Sequence, residues 1–126
     1  MKRISLIFIL VLCLLVTGGC SKTYKFYENE CNEFVDLFYE ATTDGTHYFA
    51  FDLRSQDEYA KGHVRQMQNY DINQGSIDEF LTSIKGIYSY NHTLFLYHDE
   101  FLGQENINKI RKHYRHVKFL MADASE

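Results

Sequence analysis

Apolar positions fall into three patterns along this chain. Residues 4–16 form an unbroken apolar run behind Lys2 and Arg3. Further on, apolar residues recur either at three-and-four spacing, which marks a helix lying on a core, or in short near-continuous blocks, which mark strands covered on both faces. Cys31, Phe34, Val35 and Phe38 make the first helical stripe, predicting a helix over 28–41. Thr42–Thr46 is a turn with Gly45 available for positive φ, and His47–Leu53 reads as a strand. Ser55 and Glu58 have capping-box spacing, and Gly62 stops the short helix they begin. Asn69–Ile72 supplies a second, short strand. Ser76 and Glu79 repeat the capping box ahead of Ile77, Phe80, Leu81, Ile84 and Ile87, the apolar face of another helix. Thr93–Tyr97 is a strand. Gly103–Arg115 is a helix with Ile107, Ile110 and Tyr114 inward and Lys109, Arg111 and Lys112 solvated, and Val117–Met121 is the last strand. Strands alternating with helices predict an α/β domain with a mainly parallel central sheet flanked by helices.

The apolar run at residues 4–16 is shorter than the ~20 residues a membrane span needs. With its basic head and the small residues Thr17, Gly18 and Gly19 behind it, it reads as a secretory signal peptide. Cys20, directly after two glycines, resembles the lipobox of bacterial lipoproteins, with Thr17 departing from the usual leucine three residues before the cysteine. By that resemblance the peptide is cut before Cys20, whose sulfur takes a diacylglycerol and whose new amino group can be acylated. Two or more chains give stable attachment, whereas one gives only marginal binding. An uncleaved anchor helix is the alternative, and both readings put the domain on the outer face of a membrane. The chain then divides into a lipoprotein signal peptide over 1–19, a lipid-anchored tether over 20–27 and one domain over 28–126.

Loss of residues 1–19 removes two basic side chains, leaving 11 basic against 17 acidic and a formal charge of −6, where the full chain has −4. Such a surface excludes a nucleic-acid binder and adheres poorly to anionic headgroups, so the lipid on Cys20 is the membrane contact. Ten Phe and ten Tyr, with no Trp and no Pro, serve mainly as core. Cys13 leaves with the signal and Cys20 is lipidated, so Cys31 is expected as a lone thiol. Its helical register points it inward, and neighbouring carboxylates blunt its reactivity.

Asp52-x-Arg54, Glu58-Tyr59 and Gly62-His63-Val64 resemble the first signature of the rhodanese-like domain, Asp-x-Arg, then Glu-Tyr/Phe, then Gly-His-Ile followed by Pro-Gly-Ala. Here Arg65-Gln66-Met67 replaces the last three, so the turn after His63 must differ locally. A buried Asp52 and Arg54 beside Glu58 suit a scaffold in which Arg54 bridges two carboxylates. His63 is then a hydrogen-bonded structural histidine.

The resemblance further implies that Thr93–Tyr97 is the central parallel strand and that its end carries the active loop. A cysteine, a glycine and usually an arginine stand there in the family, because curled backbone amides and a helix N-terminus favour a thiolate or bound oxyanion. In this chain His98 occupies the cysteine's place, followed by Asp99, Glu100, Phe101, Leu102 and Gly103, with no arginine before Arg111. Two carboxylates repel thiosulfate, phosphate or persulfide, and an imidazole cannot carry a sulfane sulfur. His98, Asp99 and Glu100 lack a third fixed donor for a metal, and His113 and His116 near the helix end complement its dipole. No catalytic residue, metal or cofactor is assigned.

The chain ends soon after the last strand, where rhodanese-like domains continue into a closing helix. The resemblance is thus to a C-terminally truncated member whose bare sheet face helix 28–41 or a protein partner would cover. The expectation is a membrane-anchored extracytoplasmic lipoprotein whose catalytically inactive domain acts as a binding or interaction module. The alternative is a sulfurtransferase-type or sulfur-carrier enzyme using Cys31 or a rearranged loop at His98. A third reading is a small structural or assembly lipoprotein.

Overall fold

The structure is a computed structural model that describes residues 26–124; the signal peptide, Cys20 and most of the tether lie outside them. Its elements are α1 (Cys31–Thr43), β1 (Tyr48–Asp52), α2 (Gln56–Lys61), β2 (Gln68–Asn69), α3 (Ile77–Lys85), β3 (Thr93–Tyr97), α4 (Gln104–His113) and β4 (His116–Leu120). Four parallel strands form one sheet in the order β2-β1-β3-β4. This is the expected α/β architecture with a parallel sheet flanked by helices.

Strand alternation divides the core into two layers. Phe49 and Phe51 of β1, Leu94 and Leu96 of β3, and Val117 and Phe119 of β4 point to one face, where α3 and α4 pack Phe80, Ile84, Ile107 and Ile110 onto them. Ala50, Phe95, Tyr97 and Leu120 point to the other, where α1 lays down Phe34, Val35, Phe38 and Ala41. Phe95 is the anchor of that second layer, its ring 5.7 Å from Phe34 and 5.2 Å from Phe38. The sheet face opposite α3 and α4 is therefore covered by α1.

Several local expectations are corrected. The first helix runs from Cys31 to Thr43 instead of 28 to 41, because Tyr27 hydrogen-bonds the chain after β4 and holds residues 26–29 outside the helix. The short second strand is Gln68–Asn69, not Asn69–Ile72, since Tyr70 and Ile72 already turn back to donate to the carbonyls of Asp52 and Leu53. Ile87 is 69% exposed: α3 ends at Lys85 and Gly86 caps it, so the three-and-four stripe stops at Ile84. The serine arms of both capping boxes are present, Ser55 accepting from the Glu58 amide and Ser76 from the Glu79 amide.

In the turn after His63, Gln66 takes φ 74°, in the left-handed region. A β-carbon there is strained by about 1 kcal/mol or more.

Two measurements follow. Phe38→Ala opens a cavity between α1 and β3 and should cost about 3–5 kcal/mol in urea unfolding, whereas the exposed Ile87→Ala should shift stability by no more than about 0.5 kcal/mol. Gln66→Gly should stabilise the fold by about 0.5–1 kcal/mol, the relieved strain being partly offset by glycine's greater unfolded-state entropy; a loss of stability would show that the residue is not left-handed.

Candidate functional site

In an open parallel sheet, ligands collect beyond the carboxyl ends of the strands where successive connections leave in opposite directions. Here the chain runs from β1 outward to β2, then crosses to β3 and outward to β4, so that point lies between β1 and β3. Asp52, Leu53 and Arg54 leave β1 at that end, and His98 leaves β3 beside them.

Asp52 is fully buried and Arg54 nearly so. The Arg54 Nη2 donates to Asp52 Oδ2 at 2.8 Å, Nε donates to the same carboxylate at 3.1–3.2 Å, and the Arg54 amide donates to Oδ1 at 3.0 Å. Nη2 also donates to the Gly62 carbonyl at 2.7 Å, and the guanidinium lies over the Tyr97 ring at 4.5 Å. Burial alone would lower the Arg54 pKa, but the hydrogen-bonded Asp52 carboxylate and nearby Tyr97 and Asp99 raise it above its ordinary value. The expected bridge to Glu58 does not form. Glu58 sits on the exposed side of α2 against Lys61, and a backbone carbonyl takes its place as the second acceptor. The Nδ1 of His63 is 2.8 Å from the Tyr59 carbonyl, and its ring stacks on Tyr59 at 3.7 Å.

His98 continues β3, its amide donating to the Leu120 carbonyl at 2.8 Å. Its side chain is 11% exposed, with Nδ1 3.3 Å from Asp99 Oδ1. That distance suits an ion pair if the ring is charged, yet Nδ1 is buried without hydrogen-bond geometry to any described residue. Burial decides between the two: it pushes the His98 pKa down, against Asp99, Glu100 and Asp52, which push it up, while Arg54 adds to the lowering. The ring is thus a neutral imidazole at neutral pH. Asp99 and Glu100 are exposed at the tip of the loop, and Gly103 turns it into α4 with φ 97°, a backbone conformation open to glycine and strained for other residues.

Behind the loop lies a cavity of about 360 Å³, bordered by Ile72, Ser76, Asp78, His98, Phe101 and Lys109. Lys109 and Asp78 pair across it at 3.3 Å. The sequence reading found His98, Asp99, Glu100 and Gly103 but missed the other wall, because Ser76, Asp78 and Lys109 already have sufficient roles as cap, first-turn acid and exposed helix cation. Among the described residues no group of three or more His, Cys, Asp or Glu is placed to hold a metal ion.

Cys31 is corrected as well. It is 5% exposed, as its register predicted, but its sulfur is in a disulfide instead of a lone thiol. Cys13 and Cys20, the chain's other cysteines, lie outside the described residues.

No family model, no curated protein and no solved structure matches the chain.

A pH measurement checks the burial of His98. In the unfolded chain the imidazole has its ordinary pKa near 6.5, and in the fold it is lower. Below that value the unfolded state takes up a proton that the folded state refuses, so stability falls as pH drops through about 6.5 and levels off above it. His98→Asn should remove up to about 1.4 kcal/mol per pH unit of that slope, read from urea midpoints across mildly acidic to neutral buffers. An unchanged slope would show that His98 titrates normally.

Proposed function

We propose that this chain is a membrane-anchored extracytoplasmic lipoprotein whose rhodanese-like domain has no sulfur chemistry of its own and serves as a binding module. The observation that carries the reading is the position of His98. It ends the central parallel strand, where the resemblance puts a cysteine, and the loop that follows presents Asp99 and Glu100. A buried neutral imidazole beside two carboxylates neither attacks a sulfane donor nor gathers an oxyanion. The Asp52–Arg54 pair and the stacked His63 support the resemblance over its first signature.

A bare sheet face would have favoured a protein partner, but α1 covers both that face and its aromatic layer. Binding is better supported at the cavity behind the loop, which is polar at Ser76, Asp78 and Lys109 and apolar at Ile72 and Phe101. The sulfur-carrier alternative requires an accessible thiolate, and Cys31 is only 5% exposed.

The disulfide of Cys31 belongs to the uncleaved chain of 126 residues, which makes the anchor testable. A mature chain that starts at a thioether-linked Cys20 keeps no second cysteine, so lipidation and an intrachain bond to Cys31 exclude each other. Mass spectrometry of the full-length gene product, recovered from the membrane fraction of an expressing bacterium, should find a diacylglyceryl group on an N-terminal Cys20. Cys31 should be alkylated on denaturation without reductant. Cys20 recovered bare and joined to Cys31 would overturn the anchor. The same preparation treated with thiosulfate or a persulfide donor should gain no reducible sulfur mass, and a gain abolished by Cys31→Ser would overturn the non-catalytic reading.

A further inference from the structure

The first described residues are fastened to the end of the molecule that carries the candidate site. Phe26 forms an antiparallel bridge with Ala122, just beyond β4, and the Tyr27 amide donates to the Met121 carbonyl at 2.9 Å. Tyr97 at the end of β3 pairs with Leu120, so this bridge lies past the carboxyl ends of the parallel strands, as does the His98 loop. Side chains join the two directly. The Tyr27 ring is 5.7 Å from Phe101 of that loop and 5.6 Å from Phe119. Arg111 locks the segment from outside, donating to the Tyr27 hydroxyl at 3.2 Å and to Glu28 at 2.6 Å, with its guanidinium over Tyr27 and Phe119.

We infer that the pole bearing His98, Asp99 and Glu100 faces the bilayer, so the surface around the cavity works against the lipid headgroup layer. This rests on the lipid-anchor reading above. Six residues separate the start of the anchor at Cys20 from the fastened Phe26, and fully extended they span no more than about 21 Å. A domain of about 100 residues has a radius of gyration near 13 Å, hence a half-circumference of roughly 50 Å. The tether cannot pass around the molecule, and the opposite pole, where the chain enters β1 and β3, is turned away from the membrane. Asp99, Glu100 and Asp123 at the facing pole are repelled by anionic headgroups, while Lys22 and Lys25 of the tether are attracted to them. The domain thus stands off by the tether's length instead of lying on the surface. Whatever enters the cavity does so from the narrow layer between domain and membrane, which selects ligands present at the bilayer surface.

Single cysteines read this orientation on the full-length chain in intact spheroplasts. Glu100→Cys places a thiol on the loop and Asn91→Cys places one at the opposite pole, both at exposed positions. A bulky, membrane-impermeant polyethylene-glycol maleimide should label Glu100→Cys several-fold more slowly than Asn91→Cys, while a small impermeant maleimide labels both alike. Inserting a flexible Gly/Ser segment of about 20 residues after Ser21, with a root-mean-square reach of about 25 Å, should abolish the difference. Equal bulky labelling of both positions in a chain that fractionates with the membrane would overturn the orientation alone. Recovery of the chain away from the membrane would instead overturn the anchor reading on which it rests.

Discussion

The buried pair of Asp52 and Arg54 is the interaction on which the site end of the fold depends. A carboxylate with no exposure is tolerable only when its lone pairs are filled, and here one guanidinium and one amide fill them. The consequences spread through backbone. Arg54 draws in the Gly62 carbonyl and so fixes the end of α2 against β1. Asn69 donates to the Asp52 and Arg54 carbonyls at 3.0 Å each, which aligns the two-residue β2 as an edge strand. The guanidinium face then rests on Tyr97, the last residue of β3, immediately before His98. Replacing such a pair with apolar residues can be neutral, but removing one partner strands a charge at a cost of about 3–5 kcal/mol. Its role is therefore to specify which elements meet, more than to add stability.

Around this junction the molecule has two unlike faces. The α3 and α4 face is broad and aliphatic-aromatic, with Phe49 stacked on Tyr88 at 3.9 Å and set edge-on to Tyr114 at 5.2 Å. The α1 face is narrower and relies on Phe34, Phe38 and Phe95. One helix packs there, and Val64 and Met67 from the α2–β2 connection fill the margin of that face. With both faces occupied, the loop pole still carries a cavity, and the N-terminal segment packs beside it through the contact of Tyr27 with Phe101.

Much of this was legible from residue spacing. The core stripes of α1, α3 and α4, the strands β1, β3 and β4 within a residue or two and both serine caps follow from local rules in which side-chain period and hydrogen-bonding capacity act over a few residues. Ile87 misled because a periodic stripe carries no mark of where the backbone stops being helical; Gly86 did, and it outweighed the stripe. Glu58 misled because charge proximity in sequence does not say which side of a six-residue helix faces the core.

By itself, then, the sequence determined the alternation of strands and helices, the inward residues of each and the absence of a thiol in the loop after β3, since all three are properties of short stretches. Only the tertiary structure decided that α1 closes the second face, that Gly62 and not Glu58 completes the Arg54 coordination, and that Cys31 is in a disulfide. It also decided that burial lowers the His98 pKa and that Ser76, Asp78 and Lys109 line the same cavity. Each of these depends on which distant segments share a space, and that is set by the packing of the whole core, not by any window of the chain.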